Sequence, residues 1–136
     1  YEIVPGITSG IGSATYAGIP LTHRKYASSV VFVTGHEDPE KKSEIVKWKR
    51  LAKSVDTIVI MMGLSRIDVI CKQLATGGMD KKTPVAVIQN GTTPKQKMIK
   101  GTISNIAKKV KENKITPPTN IIIGKVVDLS DTIGWK

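Results

Sequence analysis

Cysteine is nearly absent. The chain has one, Cys71, so it can form neither an internal disulfide nor a cysteine-rich zinc site. Its two histidines, His23 and His36, do not complete a structural zinc set with that single thiol. A lone cysteine fits a reducing compartment, and the expectation is a cytoplasmic protein. Aromatic residues make up only 4% of the chain, which argues against a base-stacking platform for nucleic acid. No apolar run approaches the roughly 20 residues needed to span a bilayer, so no membrane partner is expected. The first residues do not read as a signal peptide. The common catalytic signatures are missing too: there is no Walker A loop, GxGxxG, HExxH or GxSxG. Acidic residues are scarce, 11 against 21 lysines and arginines.

That imbalance leaves a formal net charge of +10, which favours anionic partners. The excess is uneven. Lys95, Lys97, Lys100, Lys108, Lys109, Lys111 and Lys114 face only Glu112 in their stretch. A solubilising lysine surface explains this as readily as a binding face does. The 136 residues fit one domain with a core of its own. The chain opens on Tyr1-Glu2-Ile3-Val4 without an initiator Met, which suggests an excised domain or a processed product.

Short apolar runs alternate with helical stretches. Residues 1–4 read as the end of a strand and Pro5-Gly6 as a turn; Thr8 or Ser9 would cap a helix to about Gly18. Gly10, Gly12, Ser13 and Ala14 leave one side of that helix nearly bare, at ~1 kcal/mol for each interior glycine. Close approach of another backbone or of a ligand would offset this cost. Residues 30–33 read as a strand ended by Thr34-Gly35-His36, and 37–43 as a charged loop. A helix over 44–53 would put Ile45, Trp48 and Ala52 on one side, with Trp48 a half-buried anchor. Residues 56–62 form the clearest buried strand. Ser65 and Asp68 make a capping-box-like start to a helix burying Ile67, Ile70, Cys71, Leu74 and Ala75, and Gly77-Gly78 end it. On that face Cys71 reads as a core thiol. Residues 85–88 are another buried strand, with an antiparallel partner near 96–100. Thr102 would cap a helix burying Ile103, Ile106, Ala107 and Val110, and Pro117-Pro118 forbid its continuation. Residues 121–127 read as the last strand. The pattern implies an α/β domain: a mixed central sheet with helices on both faces.

Open α/β sheets bind ligands in the crevice beyond their strand ends. Four such ends are rich in glycine or small residues: Pro5-Gly6-Ile7-Thr8-Ser9, Thr34-Gly35-His36, Met62-Gly63 and Asn90-Gly91-Thr92-Thr93. Thr8, Ser9 and Thr92 add hydroxyls, and Met62 adds a polarizable side chain suited to an adenine face or a thioether. Turns alone also call for glycine, so these residues point only to a small-molecule pocket. The loop Pro20-Leu21-Thr22-His23-Arg24 gathers a hydroxyl, an imidazole and a guanidinium, a set that suits a carboxylate. A surface loop with local hydrogen bonds explains it equally well.

At Val4-Pro5-Gly6-Ile7-Thr8-Ser9 and Tyr16-Ala17-Gly18-Ile19-Pro20-Leu21-Thr22-His23-Arg24 the sequence resembles the uroporphyrinogen-III C-methyltransferases of the tetrapyrrole methylase superfamily. The likeness continues through Phe32-Val33-Thr34-Gly35-His36, Met61-Met62-Gly63, Gln89-Asn90-Gly91-Thr92, Gln96 and Ile121-Ile122-Ile123-Gly124. The resemblance implies two α/β domains with S-adenosyl-L-methionine in the cleft between them. Residues 1–136 would be the C-terminal domain, with the N-terminal domain absent. It implies methylation of uroporphyrinogen III to precorrin-2, for sirohaem or cobalamin, with S-adenosyl-L-homocysteine as coproduct. Thr8, Ser9, Met62, Gly91 and Thr119 match the family's cofactor contacts. Acid and base residues would lie upstream, so no catalytic residue and no metal ligand is expected in this chain. His23 and Arg24 are the candidates for grasping a carboxylate of the acceptor. The resemblance further implies a homodimer, and in some relatives a fusion to uroporphyrinogen-III synthase. By itself the chain is expected to be inactive and to bind cofactor weakly. Two other readings compete. A superfamily member acting on a later corrinoid or on another acceptor is disfavoured by the Pro-Leu-Thr-His-Arg loop, and a basic nucleic-acid module lacks the aromatics.

Overall fold

The computed structural model describes residues 1–36 and 45–134. The expected charged loop at 37–43 and the helix start at Glu44 lie outside the described residues. Among the described residues five strands form one sheet: β1 (Val30–Thr34), β2 (Thr57–Met61), β3 (Pro84–Gln89), β4 (Lys97–Thr102) and β5 (Thr119–Ile123). Their spatial order is β1-β2-β5-β3-β4. β1 and β2 run parallel, whereas β5 lies antiparallel to both β2 and β3, and β4 is antiparallel to β3. The last strand in the chain is thus the middle one in space.

The apolar runs of β2, β3 and β5 are continuous because both faces of these strands are covered. One face buries Ile58, Ile60, Val85, Val87, Ile121 and Ile123. Against it lie α2 (Trp48–Ser54), α3 (Ile67–Thr76) and α4 (Ile106–Glu112), through Trp48, Ile70, Leu74 and Ile106. The other face buries Ala86, Ile88 and Ile122 beneath Ala14 of α1 (Ser9–Tyr16) and beneath Val126 and Val127. A short helix, α5 (Ser130–Ile133), follows these two valines. The expected mixed sheet with helices on both faces is what forms.

The bare side of α1 is used for close approach. A Cβ on Gly10 would lie 2.8 Å from Cγ1 of Val59, so the helix backbone rests almost directly on β2. That contact offsets the helical cost of the glycine.

Several local expectations give way to tertiary context. Residues 1–8 form no strand: Tyr1, Ile3 and Val4 are exposed, and no neighbouring strand offers them a ladder. Thr8 stands at the N-cap of α1 without a side-chain capping bond. Ser65 falls in a single 3₁₀ turn, Leu64–Arg66, and α3 begins at Ile67 with no side-chain cap. Thr102 ends β4 instead of capping a helix; its N–H donates to Oδ1 of Asn105 at 2.8 Å, and α4 starts after that turn. Trp48 is fully buried rather than half-buried, and Ile45 is exposed rather than inward. β5 stops at Ile123 because Gly124 turns the chain with φ 145°, and Lys125–Leu129 forms a 3₁₀ helix. Among the described residues, no helix is long and apolar enough to cross a membrane.

Candidate functional site

The ends of β1, β2 and β3 and the beginning of β5 lie along one edge of the sheet. Thr34, Met61, Asn120 and Ile88 are in register there, one residue from each strand. The first turn of α1 sits on this row. Thr8 Oγ1 donates to Sδ of Met61 at 3.7 Å. Ser9 Oγ donates to Oδ1 of Asn120 at 3.3 Å, and Nδ2 of Asn120 donates to the carbonyl of Ser9 at 3.3 Å. The hydroxyl that fails to cap the helix is therefore drawn to a tertiary partner.

The chain leaves the strands in unusual conformations. Met62 follows β2 with φ 53°, and Asn90 and Thr92 follow β3 with φ 50° and 67°. Side-chain-bearing residues adopt this left-handed region at a cost of about 1–3 kcal/mol each, and such strain persists only where its surroundings enforce it. Around β3 the enforcement is visible. Asn90 N–H donates to the Pro118 carbonyl at 3.1 Å, Thr93 Oγ1 donates to the Asn90 carbonyl at 2.8 Å, and Thr92 N–H donates to Oε1 of Gln96 at 2.8 Å. At β2 the result is an apolar side chain held outward, with Met62 65% exposed.

These segments enclose an open cleft of about 590 Å³. Met61, Met62, Leu64, Pro117 and Pro118 give it apolar walls. Ser9, Ser65, Asn90, Thr93, Thr119 and Asn120 give it a hydroxyl and amide edge, and His36 lines it as well. None of the described lining residues carries a carboxylate, an amine or a guanidinium. Such a lining suits a flat heterocycle between apolar walls with its polar atoms along one edge.

Of the residues singled out in the sequence, Ser9, Met62, Gly91 and Thr119 all line this cleft, and Thr8 is bonded to its wall at Met61. His23 and Arg24 do not line it. His23 pairs with Ala27 through N–H to O at 2.8 Å and stacks on Tyr26 at 5.0 Å. The following Ser28 and Ser29 both donate to Asp56, which precedes β2, whereas the cleft lies beyond the other end of that strand. Asn120 was not singled out. Its one signal is a break in polarity, an amide ahead of three isoleucines. Among the described residues, the two clearly shifted titratable groups lie elsewhere. Hydrogen bonds from Ser28 N–H, Ser29 Oγ and Ser29 N–H hold the Asp56 carboxyl below its ordinary range. Burial, aided by the charge of Asp68, pushes the Cys71 thiol up to about 12.

A cleft of this kind across the strand tips is the usual setting of a small-molecule site in an α/β domain. Residues 1–107 match the family model of the Tetrapyrrole (Corrin/Porphyrin) Methylases, and the chain belongs to that family. It is 48% identical over 130 residues to "Uroporphyrinogen-III C-methyltransferase" of Priestia megaterium, covering 96% of this chain and 54% of the relative. It is 47% identical over 135 residues to "Siroheme synthase" of Nitrosomonas eutropha, covering 99% of this chain and 28% of the relative. A crystal structure of uroporphyrin-III C-methyl transferase from Thermus thermophilus, complexed with S-adenyl homocysteine, matches with a TM-score of 0.77 at 30% identity. That match covers 94% of this chain and 54% of the other. The chain thus spans about half, or less, of the length of these relatives.

Proposed function

We propose that this chain is the C-terminal domain of a two-domain, S-adenosyl-L-methionine-dependent uroporphyrinogen-III C-methyltransferase, which converts uroporphyrinogen III to precorrin-2 for sirohaem or cobalamin. The observation that carries this reading is the convergence of Ser9, Met62, Gly91 and Thr119, from four separate segments, on one cleft in a chain of this family. The lining fits the donor's nucleoside: apolar walls for the base, and a hydroxyl and amide edge for its polar atoms.

When bound, S-adenosyl-L-methionine supplies an electrophilic methyl group on a sulfonium. The part of this chain is then binding and orientation. Met61, Met62, Leu64 and Pro118 exclude water from one side of the nucleoside. Ser9 and Thr119 face its polar edge. No carboxylate is among the described lining residues, and the acid and base are proposed to lie in the N-terminal domain. One wall of a cleft neither buries nor orients the donor fully, so the chain alone is inactive. His23 and Arg24 remain the proposed grip on an acceptor carboxylate. An Arg24→Ala protein with an unchanged KM for the acceptor overturns that part alone.

The test is direct. The full-length protein, given S-adenosyl-L-methionine and uroporphyrinogen III, is expected to yield precorrin-2, and residues 1–136 alone are expected to yield none. Methylation of a different tetrapyrrole, or none at all by the full-length protein, overturns the reading.

A further inference from the structure

The row at the cleft contains one amide. Asn120 stands between Met61 of β2 and Ile88 of β3, and only 8% of it is exposed. A side-chain amide has two donor and two acceptor positions, and leaving them unmade in such surroundings is costly. Both of its described hydrogen bonds go to a single residue, Ser9: one to its hydroxyl and one to its carbonyl. That carbonyl also accepts from Ser13 Oγ at 2.6 Å, but Ser13 belongs to the same helix and cannot tie it to the sheet. The segment before Ser9 is exposed throughout, and the Thr8 contact to sulfur is a weak one. Asn120 is therefore the polar link between the start of α1 and the sheet, at the edge of the cleft.

We infer that Asn120 is a positioning residue for the cofactor, acting through Ser9. It sets the height of the first turn of α1 over the Met61–Asn120 row, and with it the Ser9 edge of the cleft. This role rests on the proposed cofactor reading. A leucine at 120 would fill the same space and keep the packing, but it would leave Ser9 without its link to the sheet.

The test uses the full-length protein and three variants: Asn120→Leu, Ser9→Ala and the double variant. Binding of S-adenosyl-L-homocysteine is followed by calorimetry. Each single variant is expected to bind about 5–10-fold more weakly, as for the loss of one net hydrogen-bond link. The double variant is expected to bind about as weakly as Asn120→Leu alone, because that change removes both bonds to Ser9 and Ser9→Ala removes only the hydroxyl one of them. In turnover, KM for the methyl donor is expected to rise while KM for the acceptor does not. Amide exchange at residues 9–12 is expected to quicken in Asn120→Leu with β5 still protected, which separates lost positioning from lost folding. Binding by Asn120→Leu equal to the parent's, or losses that multiply in the double variant, overturns the inference. If Asn120→Leu does not fold, the smaller Asn120→Ala, which also removes both bonds to Ser9, carries the test with the same readouts. A parent protein that does not bind S-adenosyl-L-homocysteine overturns the cofactor reading and this role together.

Discussion

Gly91 and Ser13 touch so closely that a Cβ on Gly91 would lie 2.3 Å from Cβ of Ser13. One residue belongs to the turn after β3 and the other to the inner side of α1. Their contact seats the helix beside the cleft, so the glycine has a packing reason to be there in addition to any contact with a ligand.

Gly91→Ala is expected to destabilise the fold by about 1–3 kcal/mol, the usual cost of forcing a methyl into packed surroundings. Ser13→Gly removes the opposing Cβ. The double variant should therefore be more stable than the two single losses added together. Urea unfolding of the four proteins measures this, and strictly additive losses would contradict the contact.

Met62 carries its side chain at φ 53° while largely exposed. Met62→Gly should relieve the backbone and cost little packing, so stability is expected to hold or to rise by about 1 kcal/mol. Cofactor affinity is expected to fall all the same, because an apolar wall is lost. Thermal unfolding and calorimetry on the same variant check the two signs. Unimpaired binding would remove Met62 from the site.

Asp56 is held below its ordinary pKa by donors from Ser28 and Ser29. A lowered carboxylate contributes stability above its unfolded value, about 3.9, and that contribution is lost as pH falls through the lower folded value. Asp56→Asn is expected to be less stable than the parent at neutral pH, with the gap closing as the solution becomes strongly acid. Urea midpoints across that range test it. A gap independent of pH would mean that the carboxylate charge contributes nothing.

Cys71 is buried, and its pKa is pushed up to about 12. The thiolate that reacts with alkylating reagents is then scarce at neutral pH. No labelling is expected in the folded protein, and full labelling in urea. Rapid labelling without denaturant would place the thiol at the surface.

The parts of the fold legible in the sequence are those dictated by burial on both faces. Continuous apolar runs marked β2, β3 and β5, and the spacing of Ile67, Ile70, Cys71 and Leu74 marked α3. Tyr1–Val4 has the same composition as a strand end, yet it forms none, because pairing depends on a neighbour that local sequence does not reveal. The insertion of β5 between β2 and β3 is likewise a matter of long-range packing. At the site, glycine, hydroxyl and methionine residues at the strand ends were legible because turns and clefts share those residue types. Asn120 was not, since its meaning depends on Ser9, 111 positions away in the chain. The failed caps at Thr8 and Ser65 have a related cause: Thr8 spends its hydroxyl on Met61, and a 3₁₀ turn takes up the start of α3.

The four methionines offer the most direct test that the strand-tip cleft holds the methyl donor. Met61 and Met62 line the cleft, while Met79 and Met98 pack elsewhere against the core. The full-length protein, labelled at its methionine methyls and titrated with S-adenosyl-L-homocysteine, reports on all four by nuclear magnetic resonance. The expected result is that the Met61 and Met62 signals shift saturably and those of Met79 and Met98 stay in place. Saturable binding that leaves Met61 and Met62 unmoved would contradict the assignment of this cleft.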